Sequence, residues 1–392
     1  MTTFDGDNSM RQMTAAESEG RFSTTLLNFI YETQRWKLVT VLVIVSVLKS
    51  GIWIIPNLSF SWMIAQNPFV NPLQQWPEAH YLYWSWLAPF LAWCVGATGK
   101  AAFVAFHFAF SVGFTVFFIA LIFKSFSDRT ARTALVLFII LPVSATPYFW
   151  VSMDSVTLFL MVCALAVRKL WPLAFLIGVA LGMQHFEQGI CALGVLTVAL
   201  MLNKYCKWEV QYSIGWALAL ITGIVAGKLL LMALFMHWHI EVNSGRLFWL
   251  KEHFKEMLAA FLYHFQYIIY SVFGIGWLFV LKAADRGRKS VPLFVGILGT
   301  LLLLPITADE TRVSAIVSFP LLSVFCVLNE SFLSSLTNRF CAWSLATWAI
   351  VPYVWVWLGS PKWSVLPYDV VALLHRAFGW YSVQPHQIWP FH

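Results

Sequence analysis

Asp154, His185 and Glu187 are the residues best placed to do chemistry, and they stand at the two ends of one stretch, residues 153–189. Two apolar runs lie between them, separated by Arg168, Lys169 and Pro172. A hydrocarbon core takes about 20 helical residues to cross, so the stretch reads as a helical hairpin with both ends on one side of a bilayer. Its basic turn belongs on the cytoplasmic side, because short loops rich in Lys and Arg stay there. The hairpin therefore sets an acid, an imidazole and a second acid together at the outer face. Asp154 falls about one turn inside an apolar span, where an ionisable group costs roughly 2.5–3.5 kcal/mol unless it faces protein or water. Its expected place is a cavity, with a helix N-cap as the competing role.

Other candidates gather on the same face. Asp309-Glu310-Thr311-Arg312 packs two acids and a cation into a short loop. That loop could hold a divalent cation such as Mg or Mn, or grip a substrate phosphate through the Arg fork; a solvated turn with a local ion pair is the plain alternative. Glu78 is the acid of the first outer loop, two residues before His80. His185 and Glu187 are two apart and share no helical face, and no His-Glu-x-x-His helix occurs, so hydrogen bonding to a polar substrate is expected rather than metal ligation. His237, His239 and His253 read as interfacial. Lys49 and Lys228 fall within apolar runs; snorkelling explains Lys49, whereas Lys228 is deeper. Lys228, Arg246 and Arg312 together make a cationic ring around an acid-lined cavity, suited to a lipid phosphate joined to something polyhydroxylic.

The elements that must position these residues are membrane helices. Apolar residues are 60% of 392, charged ones 11%, and the mean hydropathy is +0.73, which excludes an ordinary soluble globule. Residues 1–36 read as a polar cytoplasmic leader, 37–358 as the transmembrane domain, and 359–392 as a short outer tail. The outer loop 56–100, rich in Pro, Trp and Tyr, reads as carrying helices that lie in the interface. The expectation is an all-α polytopic protein of about eleven transmembrane helices, over 39–55, 101–123, 134–150, the two arms of the hairpin, 189–202, 213–235, 261–281, 291–307, 313–328 and 342–358. In that arrangement 16 of the 25 Lys and Arg lie inside, as the positive-inside rule requires. The N-terminus is then cytoplasmic, and the C-terminus and the active site are on the far side of the cytoplasmic (inner) membrane.

The net charge of +7 is spread along a membrane chain, so it fits orientation and anionic lipid better than nucleic acid. Six scattered cysteines argue against a disulfide framework. Phosphate loops, dinucleotide fingerprints and Gly-x-Ser-x-Gly elbows are missing, so any energy source must arrive with the substrate.

The layout resembles the GT-C superfamily of polytopic glycosyltransferases. The resemblance rests on Glu78-x-His80, on Pro147-Tyr148-Phe149-Trp150-Val151-Ser152-Met153-Asp154 and on Gly178-x-x-x-Gly182, with a long first outer loop and an outer tail. It implies an inverting enzyme that moves a sugar from a polyprenyl-phosphate carrier to a cell-envelope glycan or lipid. Glu78 would then take the place of the first-loop general base and Asp154 that of the second acid. His80, His185, Glu187, Asp309 and Glu310 would hold substrate, and Arg312, Lys228 and Arg246 the lipid phosphate. The family's usual pair of first-loop acids is here a single Glu. An O-antigen-type polymerase and a flippase or transporter of lipid-linked sugars are the alternatives; the latter would place polar residues through mid-span and show an internal repeat.

Overall fold

The computed structural model describes residues 24–243, 245–357 and 360–364, and the backbone alone at 245–249. In chain order the helices are α1 (24–31), α2 (Arg35–Ser50), α3 (Leu58–Gln66), α4 (Leu87–Cys94), α5 (Lys100–Ser125) and α6 (Asp128–Ile140). There follow α7 (Thr146–Phe149), α8 (Asp154–Ala166), α9 (Trp171–Cys206), α10 (Ile214–His237) and α11 (Gly245–Tyr263). The last are α12 (Phe265–Phe273), α13 (Trp277–Ala284), α14 (Val291–Leu301), α15 (Glu310–Leu322), α16 (Glu330–Leu333) and α17 (Asn338–Ile350). A two-stranded antiparallel hairpin, β1 (Val354–Trp357) and β2 (Ser360–Trp363), closes the described chain.

The protein is an all-α polytopic one, but the count of eleven spans is not met. Among the described residues six helical stretches, with the two arms of α9 counted as one, are long and apolar enough to cross a membrane: Lys100–Ser125, Trp171–Cys206, Ile214–His237, Phe265–Ala284, Gly287–Ile306 and Glu310–Val327. The other expected spans fold as shorter helices. α2 has 16 residues and α6, α8 and α17 have 13 each, about 20–24 Å at 1.5 Å per residue, less than the ~30 Å core. For α6 and α8 the reason is burial. Residues 131–158 are buried without interruption, so protein rather than lipid surrounds this backbone and no full-length crossing is demanded of it. The expected last span, 342–358, stops as a helix at Ile350, because Pro352 follows and the alternating Val354-Trp355-Val356-Trp357 pairs as a strand.

α9 is 36 residues long on paper, yet its φ and ψ leave the helical region at His185 (−158°, 80°). A Cβ built on Gly189 would lie 3.9 Å from the Leu181 Cβ. Eight residues of unbroken helix rise about 12 Å, so the chain folds back at His185 into arms 171–184 and 186–206. Gln184 pins this reversal: it accepts from the Ala88 N–H at 2.8 Å and donates to the Met153 carbonyl at 2.9 Å. The first arm packs against α10 through glycines on both helices. A Cβ on Gly178 or Gly182 would strike the carbonyls of Leu220 and Ile224, and one on Gly223 or Gly227 those of Phe175 and Val179. This is close packing through small residues four apart, a recurrent device for joining helices in lipid.

α2 rises beside α6 and the segment after it. Arg35 meets Asp128, Ser46 meets Ser144, and Ile54 bridges to Val151, which fixes Asp128 and the approach to Asp154 at opposite ends of the bundle. The end of the segment read as a leader lies against α6, since Arg132 donates to the carbonyls of Ile30 (2.9 Å) and Thr33 (2.7 Å). One expectation changes here. Lys49 does not snorkel: it is buried, and its ammonium donates to the Trp348 carbonyl and, at 2.6 Å, to that of Val351, closing the end of α17.

Candidate functional site

Asp154 opens α8, Arg312 lies in the first turn of α15, and His185 sits at the reversal in α9. The fold brings all three to the wall of one pocket of about 60 Å³. Its other polar lining comes from Asn57, Ser61, Tyr81, Ser85 and Ser152. These come from the segment between α2 and α5 and from the turn that leads into α8.

The Asp154 carboxylate does not cap its helix. It accepts from Arg312 Nη1, and from the Ser152 hydroxyl at 3.3 Å. Arg312 Nε in turn donates to Asp309 at 2.6 Å. The side chains of Asp154, Asp309 and Arg312 are 5, 13 and 19% exposed, so the cluster is close to dry and carries two acids for one cation. Burial pushes the Asp309 carboxyl above its usual 3.8; the Arg312 guanidinium pulls against that rise and the Asp154 carboxylate adds to it. Arg312 uses two of its five N–H donors on the acids, so the fork keeps donors for an anionic ligand.

His185 Nδ1 lies 3.8 Å from Glu187 Oε2, and Glu187 faces outward at 38% exposure. Glu310 is buried beside Thr311, whose hydroxyl donates to Ser271 at 2.7 Å and accepts from the Val356 N–H at 2.9 Å. That pair ties α15 to α12 and to β1.

The remaining candidates are placed elsewhere. Glu78 is exposed on the 3-10 segment Pro77–Trp84 and does not line the pocket; Tyr81, one turn on, does. His80 is a structural pin: Nδ1 accepts from the Asn243 N–H at 3.3 Å, so Nε2 carries the proton given to the Leu73 carbonyl at 2.9 Å. The Lys228 ammonium lies 3.5 Å from the centre of the Trp84 ring, a cation–π contact that leaves it outside the pocket lining. Arg246 is on α11, and its side chain lies outside the described residues. The tail 365–392 and residues 1–23 lie outside them as well. Among the described residues no three His, Cys, Asp or Glu side chains are grouped to hold a metal ion. Reading charges alone missed Asn57, Ser61, Ser85 and Ser152, because short polar side chains in a loop carry no periodic or electrostatic signal.

No protein family, curated protein or solved structure matches the chain.

Proposed function

We propose that the protein is a membrane glycosyltransferase that takes a sugar from a polyprenyl-phosphate carrier and passes it to a hydroxyl of a cell-envelope glycan or lipid. The observation that carries this reading is the buried Asp154–Arg312–Asp309 cluster at the wall of a pocket rich in hydroxyl and amide groups. At about 60 Å³ the pocket admits the reacting hydroxyl groups rather than a whole sugar ring, and it offers them hydrogen bonds while the cluster offers both a proton acceptor and a phosphate grip.

In the reaction Asp154 takes the proton of the acceptor hydroxyl, whose oxygen attacks the anomeric carbon of the donor sugar. The bond from that carbon to the carrier phosphate breaks, and the departing phosphate is held by the spare donors of Arg312, where charge builds up. A phosphate arriving at Arg312 competes with Asp154 for its N–H donors, which leaves the carboxylate free to meet the acceptor hydroxyl.

The test is transfer from a labelled polyprenyl-phosphate sugar to an acceptor by purified protein in nanodiscs. Release of free carrier phosphate together with labelled acceptor is the expected result. Movement of the labelled lipid across the bilayer without release would replace the reading with a flippase. Glu78→Gln, exposed and outside the pocket lining, is expected to keep activity within about threefold, the spread of an exposed substitution.

A further inference from the structure

A second cavity lies on the membrane-facing side of the bundle, between α2 and α5. It is a groove of about 630 Å³ lined by Val39, Val43 and Val47 of one helix and Val112, Val116 and Ala120 of the other. Val116 is 56% exposed, so the groove opens sideways toward lipid. Among the described residues its one charged wall is Arg35 at one end, next to the exposed Trp36. From Arg35 to Val47 the groove runs about 18 Å at the helical rise, close to the ~15 Å depth of one leaflet of a ~30 Å core.

The charged end is cationic. Segments 32–37 and 124–132 carry Arg35, Lys37, Lys124, Arg129 and Arg132 against Glu32 and Asp128. Arg35 donates to Asp128 at 3.0 and 3.1 Å, and the same acid takes Arg132 Nε at 2.6 Å. Asp128 is therefore shared by two guanidinium groups and neutralises neither fully. The Arg35 guanidinium carbon stands 4.6 Å from the centre of the Phe123 ring, which also lines the groove, so the cation faces the groove mouth. At the far end the polar lining groups, Thr115 and Tyr148, are bonded to each other at 2.8 Å, and the groove shares no lining residue with the Asp154 pocket.

We propose that this groove holds one acyl chain of an anionic phospholipid from the leaflet at the Arg35 end, with the lipid phosphate against Arg35. A one-leaflet length and a cation at one mouth suit a phospholipid, whereas a polyisoprenoid chain is longer than the groove. The site does not depend on the transferase reading.

Native mass spectrometry of the full chain released from nanodiscs of phosphatidylcholine mixed with phosphatidylglycerol provides the test. The expected result is one retained phosphatidylglycerol per chain, in preference to phosphatidylcholine. Val116→Trp fills the groove and should abolish retention while the melting temperature changes little. Arg35→Gln should cut the preference for phosphatidylglycerol about fivefold, the worth of one basic residue at a membrane surface. Asp128→Asn should raise it, because Arg35 loses its counter-charge; a merely structural ion pair would make the last two variants act alike. Retention of no lipid, equal retention of both lipids, equal retention by Val116→Trp, or retention of a polyisoprenoid instead would each overturn the proposal.

Discussion

The two ends of the bundle use the same chemistry in opposite proportion. At one end Arg312 is held between Asp154 and Asp309; at the other Asp128 is held between Arg35 and Arg132. The first cluster is nearly dry and has a carboxylate to spare, while the second has an Asp128 side chain 46% exposed and a guanidinium to spare. Excess charge that water cannot screen acts on whatever enters the pocket. Excess charge at the wet end is worth less and serves attraction rather than chemistry.

This comparison can be broken in graded ways. Asp154→Asn should lower sugar transfer by about 10²–10⁴-fold, the usual worth of a positioned base, with circular dichroism and melting temperature unchanged. Full activity in that variant would remove Asp154 from the chemistry. Arg312→Ala leaves two carboxylates buried without their cation and should destabilise the protein by about 3–5 kcal/mol, read by thermal unfolding in detergent. Asp154→Asn added to Arg312→Ala should recover part of that loss, because one of the stranded charges is gone.

The two ends should also answer pH with opposite signs. The folded chain holds a proton on Asp309 more readily than the unfolded chain does. That contribution is complete below 3.8 and is lost as pH rises through the raised folded value. Asp309→Asn should flatten this part of the stability curve. Asp128 is depressed, first by the hydrogen bond from Arg132 and further by Arg35. Its contribution is present above 3.8 and fades as pH falls through the lowered folded value. Asp128→Ala should cost only about 0.2–1 kcal/mol, the range for exposed ion pairs, and less at high salt.

The hairpin of residues 153–189 was legible because its signals are local. Apolar runs of helical length, a basic turn and ionisable ends are written within one stretch, and the structure joins Asp154 and His185 at one pocket wall. The number of crossings was not legible. Hydropathy reports that α6 and α8 are apolar but not whether lipid or protein surrounds them, and here protein does. Lys49 misled for the same reason. A lysine one turn from a helix end looks ready to reach water, yet the carbonyls that receive it belong to residues some 300 positions away.

The sequence by itself determined that this chain is a bundle of apolar helices, because composition and run length settle which solvent a helix can tolerate. It also marked Asp154 as a costly group in need of a partner, and Asp309 with Arg312 as a grip for a cation or phosphate or else a local ion pair. Only the tertiary structure decided that Asp154 joins the Asp309–Arg312 pair, since α8 and α15 are 158 positions apart at the contact and no local pattern encodes which helices meet. In the second cluster Asp128 and Arg132 already stand four apart on one helix, and packing adds Arg35 from 93 positions away. Its acid and its two arginines are common residues at helix ends, and their charge balance acquires meaning only where packing sets them at the mouth of a groove.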